Sequence, residues 1–377
     1  MANRRDFLLG AASGSLVTAA LAGGDRAEAQ GLRKTPTGLR AHLANEMRNA
    51  LIPGMQVAVV RQEELVFLDT FGFADIENAV PATNATRFQI ASCTKAFIGV
   101  AVMQLVESGE LDLTAPVSHY LEGLPTTWRA VTIGQIATHT SGLPHIESNL
   151  ATFRLVVDGD ADASWAKVQT LPMEFTPGEK FSYNQTNYVL LGKLIDVLSG
   201  EPFIQFIQKH QLDVAGMPRT VFGDDHDVVL HSARTYTPYA LVDGKPERTN
   251  TRYKTYIEFP AITRGCGGLN STAEEIARWL IALQRGELLK SKSSLTTLRT
   301  ARMLNDGKPG PWGIGAWVIG RPEHPAFFAV GAAKSAFAVY PDDDLAIVVL
   351  TNLSADMWLP FTDGIAAHYI PDLAKPA

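Results

Sequence analysis

The sequence predicts an α/β (α+β) fold: a central antiparallel β-sheet flanked by helices, with a mostly helical domain inserted into it. Three observations carry this expectation. Residues 55–60 and 65–69 are short, apolar and β-branched, and the polar turn at residues 61–64 joins them as a strand pair. A second strand-rich block lies near the C-terminus, at residues 312–319, 326–330, 336–340 and 345–350. Between the blocks, residues 94–108, 132–139, 186–199 and 202–210 read as helices with Gly, Pro and Asp punctuation, and helices at 273–285 and 356–369 flank the late strands. Neither strand block is large enough for an independent sheet, so the two are expected to pair across the chain. The predicted sheet lobe covers about residues 40–90 and 265–377, and the helical lobe about 91–264. A cleft at their junction is the expected ligand site.

Residues 1–29 stand apart from this plan. Arg4-Arg5-Asp6-Phe7-Leu8-Leu9 is a twin-arginine start, followed by a small and apolar run and by Ala27-Glu28-Ala29, an A-x-A cleavage pattern. The run is too short and too Gly-rich to serve as a membrane anchor. The expectation is an exported protein, periplasmic or secreted, whose mature domain is 30–377. No later segment approaches the roughly 18 uninterrupted apolar residues that span a bilayer. The 377 residues carry a net charge of -6 and no basic stripe, which speaks against nucleic acid as a partner. Two cysteines, Cys93 and Cys266, do not make a disulfide scaffold, and two separate thiols are expected.

Chemistry concentrates at Ser92-Cys93-Thr94-Lys95, which opens an apolar stretch from Ala96 to Val106. Residues i and i+3 share a helix face, so the Lys95 amine reaches the Ser92 hydroxyl. A helix apolar on every side belongs in a protein interior, and its first turn then faces a cleft with unpaired N–H groups and a positive dipole end. Burial penalises the charged amine, so Lys95 is a candidate base and Ser92 a nucleophile that needs no histidine. The alternative is an ordinary helix start with Ser as N-cap. A second S-x-x-K match, Ser164 to Lys167, sits after Asp158, Asp160 and Asp162 and before Pro172, so its helix is expected to be short and solvated.

Further segments, in order from about residue 50 to 352, resemble the penicillin-recognising serine hydrolases, in particular the class C β-lactamase, D-alanyl-D-alanine carboxypeptidase and family VIII esterase branch. Residues 88–95 are similar to the nucleophile segment. Thr138-His139-Thr140-Ser141-Gly142-Leu143-Pro144 resembles the H-T-S-G-L-P turn, and residues 177–192 the second catalytic segment, with Tyr183. The resemblance implies a β-lactamase/transpeptidase-like fold and an acyl-enzyme on Ser92, with Lys95 and Tyr183 moving the protons. Which of the two is the initial base stays open at this point. No cofactor is implied. The implied partner is a small-molecule acyl substrate, with the protein a monomer.

Two departures bear on substrate. The family's Y-x-N is Tyr183-Asn184-Gln185 here, with Gln185 as the expected substrate-binding amide and Asn184 and Asn187 as neighbours. The family's K/H-S/T-G is Ala329-Val330-Gly331 at best alignment, followed by Ala332, with no cation and no hydroxyl. Gly331 leaves room for substrate, and the Ala332 N–H is expected to join the Ser92 N–H as an oxyanion hole. Lys334 and Arg264 are nearby cations, both read as solvent-facing. Loss of the carboxylate-holding groups favours a neutral ester, amide or lactone over a β-lactam or a D-Ala-D-Ala peptide. A non-catalytic sensor that kept the fold is the competing reading. The G-x-S-x-G elbow and H-E-x-x-H are absent, and residues 224–227 with His231 read as a solvated acidic loop rather than a metal site. His139 and His145 are expected to hold their turn by hydrogen bonds.

Overall fold

Strands β1 (Gly54–Arg61) and β2 (Glu64–Asp75) pair in antiparallel register, Val57 opposite Asp69, through the expected polar turn. The structure is a computed structural model and describes residues 35–149, 154–242, 245–332, 335–355 and 359–374. Residues 1–29 therefore lie outside the described residues. The late strands Ala326–Gly331, Ser335–Tyr340 and Leu345–Thr351 form a meander, and Leu345–Thr351 pairs antiparallel with β1, Met55 opposite Thr351. The two blocks thus build one seven-stranded sheet: Trp317–Ile319, the three meander strands, β1, β2 and the short β3 (Val80–Pro81).

Alternation explains why these strands read as continuous apolar runs. Ala58, Val60, Phe337, Val339, Ala346, Val348 and Leu350 pack into one core, whereas Met55, Val57, Val59, Ala336, Ala338, Ile347 and Val349 pack into another. Both faces of the central strands are buried, so a one-residue slip would exchange the two sets of side chains. The second core is closed by Leu39 and Leu43 of α1 (Leu39–Ala50) and by Ile365 of the helix Leu359–Ala366. The first is closed by α2 (Thr94–Glu107) and the helix Ala273–Gln284, where Phe97 stacks on Trp279 with ring centroids 4.2 Å apart.

Three expected elements differ in extent. Only Trp317–Ile319 of the 312–319 segment is strand. Gly315 has φ 100°, and a Cβ there would lie 2.7 Å from the Lys95 carbonyl, so the chain bends to pass the first turn of α2. α3 is limited to Ile133–Ala137 by a Thr132–Gln135 capping box at its start and a left-handed His139 (φ 56°) just beyond its end. The 202–210 helix is α-helical over Phe203–Ile207 and continues as a wider π-type turn, Gln208–Leu212. The hairpin Tyr236–Val242 with Lys245–Lys254 was not foreseen, because its second strand is polar and almost wholly exposed and shows no buried face. Among the described residues no helix is long and apolar enough to cross a membrane.

Removing the aromatic stack beneath α2 leaves a cavity that the packed sheet cannot close. Phe97→Ala is expected to lower the unfolding free energy by about 3–5 kcal/mol. Urea denaturation followed by tryptophan fluorescence checks this, and a loss under about 1 kcal/mol would contradict the packing described.

Candidate active site

Ser92 sits in the 3-10 turn Ala91–Cys93 that runs directly into α2 (Thr94–Glu107), with Ala91 in the left-handed region at φ 43°. The turn is pinned from below by a small sheet of Phe88–Gln89, Leu269–Ser271 and Val221–Phe222. Ile90 N donates to Leu269 O at 2.9 Å, and Leu269 N donates to Thr94 Oγ1 at 3.2 Å. These bonds fix the serine segment against strand 269–271.

Lys95 is 0% exposed and Ser92 9%. Lys95 Nζ donates to Ser92 Oγ at 3.3 Å and to the Cys266 carbonyl at 2.7 Å. Tyr183 Oη donates to the same Ser92 Oγ at 2.8 Å. The amine also lies 4.9 Å from the Tyr183 ring centroid and 5.3 Å from that of Tyr188. Burial pulls the Lys95 pKa down to about 8, opposed by negative charge nearby, Glu147 included. Burial also raises the Tyr183 phenol well above its usual range, despite the bond to Ser92. The structure therefore brings together the three residues read as catalytic, with an amine that is readily deprotonated and a phenol that is not.

The second S-x-x-K match has a different fate. Ser164 lies within α4 (Ala161–Val168), its hydroxyl donates to Val157 O and accepts from Val157 N, and Lys167 is exposed. That serine closes a loop.

Around the nucleophile, α5 (Gln185–Ser199) begins with Asn184 as N-cap, its side chain accepting from Thr186 N at 2.8 Å and donating to Leu143 O. Asn187 bonds Ser141 Oγ at 2.6 Å and His139 Nδ1 at 3.1 Å. Both neighbouring amides are thereby occupied by the turn at residues 138–144. Gln185 is fully buried, and its side-chain amide acts on the Glu147 carboxyl without a hydrogen bond of ordinary geometry. His139 is buried and accepts from Asn184 N at 3.1 Å, and burial next to Lys95 holds its pKa well below 6.5. It is a neutral strut for the turn, as expected, whereas His145 lies 3.7 Å from Glu174.

Gly331 ends the strand Ala326–Gly331 against the nucleophile turn. A Cβ there would sit 1.9 Å from Ile90 O and 2.9 Å from Ser92 N, so only glycine permits this approach. Ala332 follows in the left-handed region (φ 45°), its carbonyl accepting from Ser354 Oγ at 3.1 Å. Lys334 lies outside the described residues. Arg264 differs from the expectation of simple solvent exposure: it is ion-paired to Asp227 at 2.5 Å because the helix Arg264–Gly267 packs beside the acidic loop. Cys93 and Cys266 are free, buried thiols. Among the described residues no cluster of His, Cys, Asp and Glu is arranged to hold a metal ion.

Sequence reasoning passed over Glu147. It opens the strand Glu147–Asn149 three residues after Pro144, is 5% exposed, and its Oε2 has no hydrogen-bond partner. Burial pushes its carboxyl well above the usual range, and Lys95 and the Gln185 side chain act the other way. The available signal was an acid directly following the apolar Ile146 and the turn.

A family model described as Beta-lactamase matches residues 39–368. The chain belongs to the beta-lactamase family. Members of this family are in general serine hydrolases. Among curated proteins, this beta-lactamase family member is 31% identical over 263 residues to the putative penicillin-binding protein PbpX of Bacillus subtilis (strain 168), covering 69% of this chain and 61% of the relative. It spans about three fifths of the length of the curated relatives it matches. Among solved structures, D-amino acid amidase from Ochrobactrum anthropi SV3 superposes with TM-score 0.73 at 20% identity, covering 89% of this chain and 100% of that one. EstCE1, described as a hydrolase with promiscuous acyltransferase activity, superposes with TM-score 0.71 at 19% identity, covering 88% and 97%. These structures share the antiparallel sheet flanked by helices.

The Gly331 approach makes a direct test of this geometry. Gly331→Ala forces backbone apart at the nucleophile turn and is expected to lower stability by about 1–3 kcal/mol. Thermal or urea unfolding that matches the parent chain would show that the strand end is not packed against Ile90.

Proposed function

We propose that this protein is an esterase-like serine hydrolase that acts through a Ser92 acyl-enzyme on a neutral ester, amide or lactone. The observation that carries the reading is the convergence of Lys95 Nζ and Tyr183 Oη on Ser92 Oγ, at 3.3 and 2.8 Å, with the lysine fully buried. In this reading Lys95, as the free amine, takes the Ser92 proton while the oxygen attacks the acyl carbonyl. The oxyanion is held by the Ser92 and Ala332 N–H groups. Tyr183 gives its phenolic proton to the leaving alcohol or amine and regains one from the Lys95 ammonium, which lies beside its ring. Water, or a second alcohol, then enters by the reverse route. The high phenol pKa supports Lys95 rather than Tyr183 as the initial base.

The substrate side rests on what the pocket edge lacks. Ala329-Val330-Gly331 offers backbone and no cation, and Arg264 is committed to Asp227. A substrate carboxylate has no partner there among the described residues, so orientation by charge is lost. Gln185, Gly331 and Ala332 are the substrate contacts of this reading. The same proposal includes export with removal of residues 1–29, a division into a sheet lobe (about 40–90 and 265–377) and a helical lobe (about 91–264), and a monomer.

Two measurements test it. A fluorophosphonate probe is expected to label Ser92, and Ser92→Ala is expected to remove nearly all nitrophenyl ester turnover with folding intact. Cephalosporin turnover as fast as the best ester would favour a β-lactamase, and an unlabelled Ser92 in folded protein would favour a binding module. With Lys95 as base, only the neutral amine is productive, so kcat/KM rises with pH and levels off above about 8. A rate that is flat from pH 6 to 9 would exclude Lys95 as the base.

A further inference from the structure

The acidic segment at residues 224–227 reads from the sequence as a solvated loop, and at Asp224 the structure departs from that expectation. Asp224 is 7% exposed, and its carboxylate is bound to backbone on both oxygens: Oδ1 accepts from His226 N at 2.9 Å and Oδ2 from Phe259 N at 2.9 Å. Asp225 Oδ2 accepts from Ile257 N at 2.6 Å, and Asp225 N donates to Ile257 O at 3.5 Å. The carbonyl of Phe259 is held as well, by Arg264 Nε at 3.4 Å. Arg264 pairs with Asp227, whose Oδ2 also accepts from Asp224 N at 2.9 Å. Asp224, Phe259, Arg264 and Asp227 thus close a ring of hydrogen bonds around one buried residue of an irregular strap, residues 255–260.

This strap packs beside the reaction centre. Ile257 and Phe259 form one buried apolar cluster with Ala91, the residue before Ser92, and Ala332 packs against that cluster. The Phe259 ring also covers Gly267, where a Cβ would lie 2.2 Å from two of its ring carbons. Gly267 directly follows Cys266, whose carbonyl accepts from Lys95. Ala91 and Ala332 share a second property: both are non-glycine residues in the left-handed region, at φ 43° and 45°. Backbone of that kind persists only where its surroundings over-determine it. The strap is a packing element common to both.

We propose that Asp224 is a positioning residue for the reaction: through the Phe259 N–H it holds the strap in place, and the strap braces Ala91 and Ala332 beside Ser92. The inference rests on the proposed function in assigning the oxyanion to the Ser92 and Ala332 N–H groups. Those two donors belong to separate elements, the nucleophile turn and the chain leaving the strand Ala326–Gly331. Their relative placement therefore needs a third element that touches both sides. An oxyanion donor acts on the transition state more than on the bound substrate, so loosening the strap lowers kcat and leaves KM in place.

The test uses Asp224→Ala in the full chain, read in two ways. The first is nitrophenyl ester kinetics, with competent sites counted by complete labelling of Ser92 with a fluorophosphonate. The second is methyl NMR of alanine-labelled protein, with the Ala91 and Ala332 signals identified by substitution, which needs no turnover. kcat per labelled site is expected to fall about 10- to 100-fold with KM unchanged. Both methyl signals are expected to move, while that of Ala346, buried in the sheet, stays. Parent-like kcat per site, a fall matched by the loss of labelled sites, a rise in KM with kcat kept, or unmoved methyl signals each overturn the proposal. If Ser92 takes no label in the parent chain, the proposed function fails, and the methyl signals alone then decide the brace. Should Asp224→Ala fail to fold, Phe259→Leu thins the strap with the Asp224 bond in place, and the same readings decide on the same terms.

Discussion

The arrangement depends on an amine placed where water does not reach it. α2 is apolar on nearly every side, so its first turn can only be deep in the molecule, and Lys95 goes there with it. Desolvation alone disfavours the ammonium, and two hydrogen bonds, to Ser92 Oγ and the Cys266 carbonyl, do not restore what bulk water supplied. Much of the local structure follows from accommodating that group. The strand Leu269–Ser271 holds the serine turn, the Cys266 carbonyl accepts from the amine, and two phenols and an imidazole surround it without adding charge. The site is best regarded as a dry cage whose contents are neutral in sum.

That view also explains the division of labour between the two halves of the sheet. The strands with both faces buried give a rigid floor, and the meander strand Ala326–Gly331 delivers its last residue to the nucleophile turn. From the other side, α5 delivers Tyr183 on its approach and Gln185 at its first residue. Asn184, Thr186 and Asn187 are spent on holding residues 141–146. Asn184 and Asn187 are therefore structural, whereas the Gln185 side chain turns to the buried Glu147 carboxyl.

The parts legible in the sequence were those that obey a single period. β1 and the strand Leu345–Thr351 showed as apolar runs because both of their faces are buried, and their pairing followed from neither block sufficing alone. Ser92 and Lys95 showed because helical spacing puts i and i+3 on one face. Tyr183 and the 138–144 turn needed the family resemblance, since a phenol in a polar stretch has no period to reveal it. Glu147 stayed hidden because nothing in a sequence distinguishes a buried acid from a solvated one. The end of the 312–319 strand was equally hidden, because Gly315 bends the chain to pass a carbonyl that is distant in sequence. The second strand of the hairpin, Lys245–Lys254, carries no buried face, and so gave no pattern to find.

The contact between Gly331 and Ile90 has a consequence for how freely the site can move. With a carbonyl oxygen occupying the space where a side chain would begin, any side chain at position 331 must push the strand end away from the nucleophile turn. Ala332, one residue on, packs against Ala91, Ile257 and Phe259, and its left-handed backbone limits which residues are comfortable there. The approach of strand end to nucleophile turn therefore fixes how far the Ser92 segment can shift relative to the sheet.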